Sequence, residues 1–276
     1  MDLTLYIGNG VYNLRVSALV RNGSKFLMDS VDGLIFPIGG RVKLNETIEE
    51  ALAREVMEET NCSITFYEMK GIGESSFFSK AKNANVFEHN FIFEVVLDGD
   101  IPSNLKWVSM DDDSYVPQYL KDVDHRFIHN DINDLKFTPV DVCKVVNNHT
   151  EFNVRISAVI RNSGKVLFDE SAYDKKHLVP IGGRMQMGES FEEALAREVK
   201  EELGVEIIES NFLGYGQDFF ELNLNEDSKK PIHFISFVYE VEVDLEKIEF
   251  GDGCCGVWMD KETIGDVHMN SIKKYL

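Results

Sequence analysis

The 276-residue chain predicts two tandem α/β domains, each a mixed β-sheet and one long helix forming an α/β sandwich. Three observations predict this class. The phrase EEALAREV occurs twice, at Glu49–Val56 and at Glu192–Val199, identical at all eight positions. The similarity continues on both sides of it, so the chain reads as one unit written twice. Within each unit a single helical stretch is embedded among many runs of β-branched and aromatic residues, which favour strands.

Taken in order, NLRVSALVRNGSKFLM (Asn13–Met28) lines up with NVRISAVIRNSGKVLF (Asn153–Phe168). The alternating VSALV and ISAVI segments predict strands that enter hairpins through Asn-Gly and Ser-Gly turns. PIGGR (Pro37–Arg41) recurs at Pro180–Arg184 as a Gly-Gly turn leading into the helix, Thr47–Thr60 in the first unit. GIGESSFF (Gly71–Phe78) then faces GYGQDFF (Gly214–Phe220), and HNFIFEVVL (His89–Leu97) faces ISFVYEVEV (Ile235–Val243). The last two segments, dense in Phe, Val and Ile, predict central strands. LKWVSMDD (Leu105–Asp112) parallels GVWMDKET (Gly256–Thr263). The offset drifts from 140 to 151, so short loops vary while the elements persist. Two such units make a duplicated domain and not a solenoid. The boundary is expected within Asp134–Asn148, giving domains at residues 1–141 and 142–276.

Composition narrows the function. Forty-eight acidic residues against 28 basic give a formal charge of −20. That excludes a binder of nucleic-acid polymers or anionic membranes, both of which need clustered Lys and Arg. Four cysteines (Cys62, Cys143, Cys254, Cys255) show no C-x-x-C spacing, which points to reduced thiols and not to a zinc site or disulfide framework. With no secretory pattern at the N-terminus and no apolar run near the roughly 18 residues of a membrane span, a soluble cytoplasmic protein is expected.

The helix carries the chemistry. Projected at about 100° per residue from Ile48, Leu52 falls near 40°, Val56 near 80° and Ala51 near 300°, an apolar stripe. Glu55, Glu58 and Glu59 share or adjoin that stripe, and Glu198, Glu201 and Glu202 repeat the pattern beside Phe191, Leu195 and Val199. An ordinary acidic helix turns its glutamates to solvent; these are expected to be partly withdrawn from water. Carboxylates in that position repel one another and their pKa values rise. A divalent cation keeps them ionised, and an all-oxygen donor set selects Mg²⁺ or Mn²⁺ over zinc. Such a metal also reconciles an acidic protein with a phosphorylated substrate. The glycines of GGR permit close backbone approach, so that a carbonyl can turn toward the metal.

Together these residues resemble the Nudix box, G-x5-E-x7-R-E-U-x-E-E-x-G-U with U aliphatic. The second unit matches throughout, at Gly183, Glu189, Arg197, Glu198, Val199, Glu201, Glu202, Gly204 and Val205. The first matches at Gly40, Glu46, Arg54, Glu55, Val56, Glu58 and Glu59, then has Asn61 for glycine and Cys62 for the aliphatic. The resemblance to tandem Nudix hydrolases covers nearly the whole chain and implies two α/β/α sandwiches, each with a loop–helix–loop box. It implies an enzyme that uses Mg²⁺ or Mn²⁺ to hydrolyse a nucleoside diphosphate linked to another moiety. Carried over by position, Glu55, Glu58 and Glu59, with Glu198, Glu201 and Glu202, are the implied metal ligands, joined by the carbonyls of Gly40 and Gly183. Arg54 and Arg197 are implied to orient glutamates, with Glu46 and Glu189 as partners.

The general base falls outside the box in many family members. Glu88 is the candidate in the first unit; Phe234 stands at the matching position of the second, leaving His233 or Asp218. The intact box makes the second unit the stronger candidate for hydrolysis. Arg41 and Arg184 are candidate phosphate contacts. His125 and His129 have metal-like spacing but no third ligand, and Asp111–Asp113 reads as a solvated loop. Phe78 and Glu221 replace a proline common in ADP-ribose hydrolases of the family, so nucleoside triphosphates, modified nucleotides and nucleotide sugars all remain open as substrates. The competing readings are a nucleotide-metabolite sensor, or one catalytic unit beside one structural or regulatory unit.

Overall fold

The computed structural model describes the chain except residues 32, 110, 113, 148, 171–177, 226–227, 252 and 261–269. Asp113 and the Lys261–Thr263 end of the last repeat pair lie outside the described residues. The chain divides into two compact units, Met1–Thr138 and Pro139–Leu276.

In the first unit the strands are β1 (Thr4–Ile7), β2 (Gly10–Asn22), β3 (Lys25–Val31), β4 (Leu34–Arg41), β5 (Ser63–Ser79), β6 (Ala84–Asp98), β7 (Lys106–Ser109) and β8 (Ile128–Asp131), with helix α1 (Ile48–Thr60) between β4 and β5. They form one sheet in the order β7-β3-β4-β2-β6-β5-β8, with β1 on β2. β2 runs parallel to β6, and β5 parallel to β8, while the other ladders are antiparallel. The sheet is therefore mixed, and FIFEVVL lies centrally in it, as its apolar run predicts.

The second unit repeats the order with β9 (Cys143–Val146), β10 (Thr150–Val159), β11 (Arg161–Asn162), β12 (Lys165–Glu170), β13 (Leu178–Pro180), α2 (Phe191–Leu203), β14 (Ile207–Asn225), β15 (Ser228–Val243) and β16 (Gly256–Asp260). One sheet runs β14-β15-β10-β9; the other runs β11-β12-β13 with β16 on β12. The β11–β12 hairpin closes through Ser163 and Gly164, both at positive φ (51° and 82°), the geometry that favours a two-residue hairpin loop.

Both helices start on a capping box. Thr47 and Ser190 accept from the backbone N–H of Glu50 and Glu193, whose carboxylates accept in return from the cap N–H groups. Both end in a left-handed residue, Asn61 at φ 54° and Gly204 at φ 69°, so asparagine serves where the box has glycine. Ile48, Ala51, Leu52 and Val56 are buried on α1, and Phe191, Ala194, Leu195, Val199 and Leu203 on α2. Phe191 packs 4.1 Å from the Phe237 ring of β15. The apolar stripe thus anchors each helix on its own sheet.

One expectation needs correction. The Gly-Gly pair is not a turn in the first unit: β4 continues through Gly39 and Gly40, paired opposite Ser17 and Val16 of β2. His129 sits on strand β8, buried and stacked against Tyr119 at 5.7 Å.

Candidate active sites

Each site grows from the seam between the GGR segment and the C-terminal half of its helix. In the first unit Arg54 forks onto Glu46 through Nε (2.6 Å) and Nη2 (2.8 Å), and Nη2 also donates to the Arg41 carbonyl at 2.9 Å. Its Nη1 donates to Glu55 at 2.6 Å and, more weakly, to Glu58 at 3.4 Å. Arg197 repeats each contact: Glu189 at 2.7 and 2.9 Å, the Arg184 carbonyl at 3.0 Å, Glu198 at 2.7 Å and Glu201 at 3.1 Å. The forks onto Glu46 and Glu189 raise both guanidinium pKa values further, so these arginines are permanent cations. Glu46 and Glu189 are braced in turn by the N–H groups of Lys43 and Gln186.

The third carboxylate is held differently. Glu59 accepts from the Gly39 N–H at 3.1 Å, and Glu202 from the Gly182 N–H at 2.9 Å. Gly39 and Gly182 sit at φ 141° and 127°, where a side chain is strained, and a Cβ there would meet a strand carbonyl at 2.2–2.3 Å. At Gly40 a Cβ would lie 2.4 Å from the Glu55 carboxyl carbon, and at Gly183 2.3 Å from Glu198 Oε2. The double glycine therefore does two jobs: one residue aims an N–H at a carboxylate, and the other makes room for a carboxylate.

Burial raises Glu59 and Glu202 to about 7 each, against their glycine N–H bonds and helped by the charges of Glu55 and Glu198. Burial also raises Glu198. The expected withdrawal from water does not extend to the middle carboxylate. The Glu58 and Glu201 side chains are 55% and 47% exposed, because they lie at the edge of the stripe.

The donor set suits a hard divalent cation, being all oxygen with two carboxylates in each site withdrawn from bulk water. Among the described residues, no three acidic, histidine or cysteine side chains already converge as a closed cage. Glu58 and Glu201 rest instead on the Arg54 and Arg197 guanidinium groups. The Gly183 carbonyl accepts from the Ile156 N–H at 2.9 Å, which leaves one lone pair for another partner.

Around this nucleus the units diverge. Glu88 of β6 is buried, accepts from Asn13 Nδ2 at 3.1 Å and lies 3.9 Å from Arg15 Nε. Burial raises its pKa, opposed by Arg15, whose field also bears on Glu59. In the second unit Phe234 pairs opposite Asn153, where Glu88 pairs opposite Asn13. His233 is fully buried, lowered to about 3 by burial, and bonded to Gln217 at 2.8 Å. Asp218 is engaged by Ser271. Neither stands opposite Asn153: His233 pairs with Phe152, and Asp218 with Phe234.

Sequence reasoning missed the group that does meet Asn153. Glu151 of β10 accepts from Asn153 Nδ2 at 3.0 Å, from Arg184 Nη2 at 2.9 Å and from Lys230 Nζ at 2.5 Å. Those cations outweigh burial and hold its pKa below the usual carboxylate range. It also missed Arg15 and Arg155, whose charges act on Glu59 and on both Glu198 and Glu202. The signal was present: Asn-x-Arg-x-Ser is identical in the two copies at Asn13–Ser17 and Asn153–Ser157.

Each mixed-sheet unit thus carries an acidic helix clamped by one arginine. The NUDIX domain family model matches residues 11–130 and 151–274, and the chain belongs to the Nudix hydrolase family, with two such domains. Compared by sequence with proteins of curated function, the chain matches none significantly. Among solved structures it is similar to a MutT protein from Bacillus halodurans, at 21% identity over 42% of this chain and 85% of that one, TM-score 0.33. A MutT protein from Methanosarcina mazei shows 28% identity over 42% and 92%, TM-score 0.32. A NUDIX hydrolase from Nitrosomonas europaea shows 20% identity over 46% and 97%, TM-score 0.32.

Proposed function

We propose that each domain hydrolyses a pyrophosphate bond in a nucleoside diphosphate derivative, with Mg²⁺ or Mn²⁺ as cofactor and water attacking phosphorus. The observation that carries this reading is the clamp built twice from the same residue types. One arginine fixes two of three helix carboxylates, while the N–H of a glycine at positive φ fixes the third. Glu55, Glu58 and Glu59, and Glu198, Glu201 and Glu202, would hold the cation, with the Gly40 and Gly183 carbonyls as further donors. When bound, the metal supplies Lewis-acid stabilisation of phosphoryl oxygens and of the leaving phosphate. Arg54 and Arg197 keep the carboxylates in register without occupying the substrate. Arg41 contacts phosphate oxygens, and Arg184 stands at the same position of the second domain, with Glu151 on its Nη2. In the first domain Glu88, with a pKa raised by burial, accepts the proton of the attacking water. In the second, a box glutamate takes that part.

The substrate is a phosphorylated small molecule, drawn from nucleoside triphosphates, modified nucleotides and nucleotide sugars. A panel of these with Mg²⁺ and Mn²⁺, read by phosphate release after phosphatase coupling, tests the reading. Turnover is expected to survive either Glu58→Gln/Glu59→Gln or Glu201→Gln/Glu202→Gln alone, and to vanish when both pairs are changed. Metal binding without turnover of any panel member would replace the enzyme with a nucleotide sensor. Turnover abolished by one pair alone would leave the other domain a structural or regulatory unit.

A further inference from the structure

The two sites share their helix carboxylates and clamping arginines, but not the partners of the arginine that follows the double glycine. In the first domain the Arg41 guanidinium makes no hydrogen bond or salt bridge to the described residues, and its Nε is buried without a hydrogen-bond partner. Glu88 reaches it only through its longer-range field. In the second domain the corresponding Arg184 donates from Nη2 to Glu151 at 2.9 Å and sets Nη1 3.7 Å from Asp141. Glu151 is 7% exposed and is gripped from the other side by Lys230 at 2.5 Å. Position for position, the repeat puts Val11 where Glu151 stands and Ala84 where Lys230 stands, so the first domain has neither member of the lock. Only the second copy carries the carboxylate and the lysine beside it.

We propose that Glu151 is an internal anion seated on the phosphate-recognition arginine of the second domain, so that the two sites accept substrates of different charge. Resting on the phosphoanhydride reading above, the first domain takes polyphosphorylated nucleotides whose extra phosphate lands on Arg41. The second takes derivatives carrying fewer phosphates, because Glu151 already fills that place on Arg184. Carboxylate and phosphate both offer anionic oxygens that accept from a guanidinium N–H, so the Glu151 Oε1 on Nη2 stands where a phosphate oxygen would. A second anion brought to Arg184 finds Nη2 engaged by Glu151 and Nη1 facing Asp141, in a half-buried setting where repulsion is poorly screened.

The test is the number of tripolyphosphate sites on the full chain, by isothermal titration with Mg²⁺ in excess in cell and syringe. One strong site is expected in the wild type, none in Arg41→Gln, and two in Glu151→Gln, the gained site tightening by about ten-fold, the scale of a charged hydrogen bond. Two equal sites in the wild type, or a count left at one in Glu151→Gln, would overturn the proposal. Should Glu151→Gln fail to fold, Glu151→Val/Lys230→Ala gives an independent reading, because it copies the Val11 and Ala84 of the first domain: two strong sites are expected, and a count left at one overturns the assignment. The functional reading fails separately. Absence of turnover on the nucleotide panel sinks it whatever the tripolyphosphate count, while turnover with no tripolyphosphate site sinks the Glu151 proposal alone.

Discussion

Arg197 uses Nε, Nη1 and Nη2 at once, touching Glu189, Glu198, Glu201 and a backbone carbonyl. No ammonium can reproduce that planar fork, so Arg197→Lys is not a conservative change. It is expected to cost about 2–3 kcal/mol of stability, on the scale of lost charge-assisted hydrogen bonds, measured by urea unfolding. A loss within error would show the clamp to be incidental. Gly183→Ala probes the opposite property, space. Its Cβ falls 2.3 Å from Glu198 Oε2, so the carboxylate must move, and Mg²⁺ affinity of the second domain is expected to drop at least ~10-fold with the fold retained. Calorimetry with circular dichroism as the folding control checks this. The chemistry of both residues was legible in the sequence through their spacing. The contact between Gly183 and Glu198 was not, since it spans the loop before α2.

At the scale of the element, each helix is half scaffold and half site. Its first turns bury Ile48, Ala51 and Leu52, or Phe191, Ala194 and Leu195, and its last turns turn carboxylates toward the GGR strand end. Leu195→Ala is expected to destabilise by about 2–5 kcal/mol through lost burial and a residual cavity. The price of the other half shows in pH. Glu59 and Glu202 titrate near 7 in the metal-free fold, above their unfolded values, so the native state binds more protons between about 4.5 and 7. Their contribution to stability is present below the unfolded pKa and is lost as pH rises through 7. The metal-free protein is therefore expected to be less stable at pH 8 than at pH 5.5 by this contribution. Mg²⁺ binding should release protons most strongly at about pH 6 to 7, read as a dependence of calorimetric heat on buffer ionisation. Heats independent of buffer would contradict it. The helical projection located the stripe, but it ranked Glu58 and Glu201 with the buried pair. Angle around the axis says nothing of where the covering strand ends.

At the scale of the whole chain, a formal charge of −20 works against the compact state through self-repulsion, and two acidic sites concentrate it. A divalent cation that binds only the folded form is expected to raise the melting temperature, by about 2.7 kcal/mol of stability at a hundred times its dissociation constant. Sodium chloride at equal ionic strength should do less. With Glu58, Glu59, Glu201 and Glu202 all changed to Gln, the difference between the two salts should disappear; its persistence would place the cation elsewhere. Among the described residues no helix is long and apolar enough to cross a membrane.

The sequence by itself determined the duplication, the mixed α/β class, and the carboxylate, arginine and glycine positions of both boxes. These are local matters: period, spacing and backbone permissiveness are carried by neighbouring residues. Only the tertiary structure decided which carboxylate meets which cation. Glu88 reaches Asn13 from an adjacent parallel strand, whereas Glu151 reaches Asn153 from two residues away on the same strand and closes on Arg184 and Lys230 from other segments. Strand register sets those meetings, and register follows from how each sheet buries its apolar faces across distant parts of the chain.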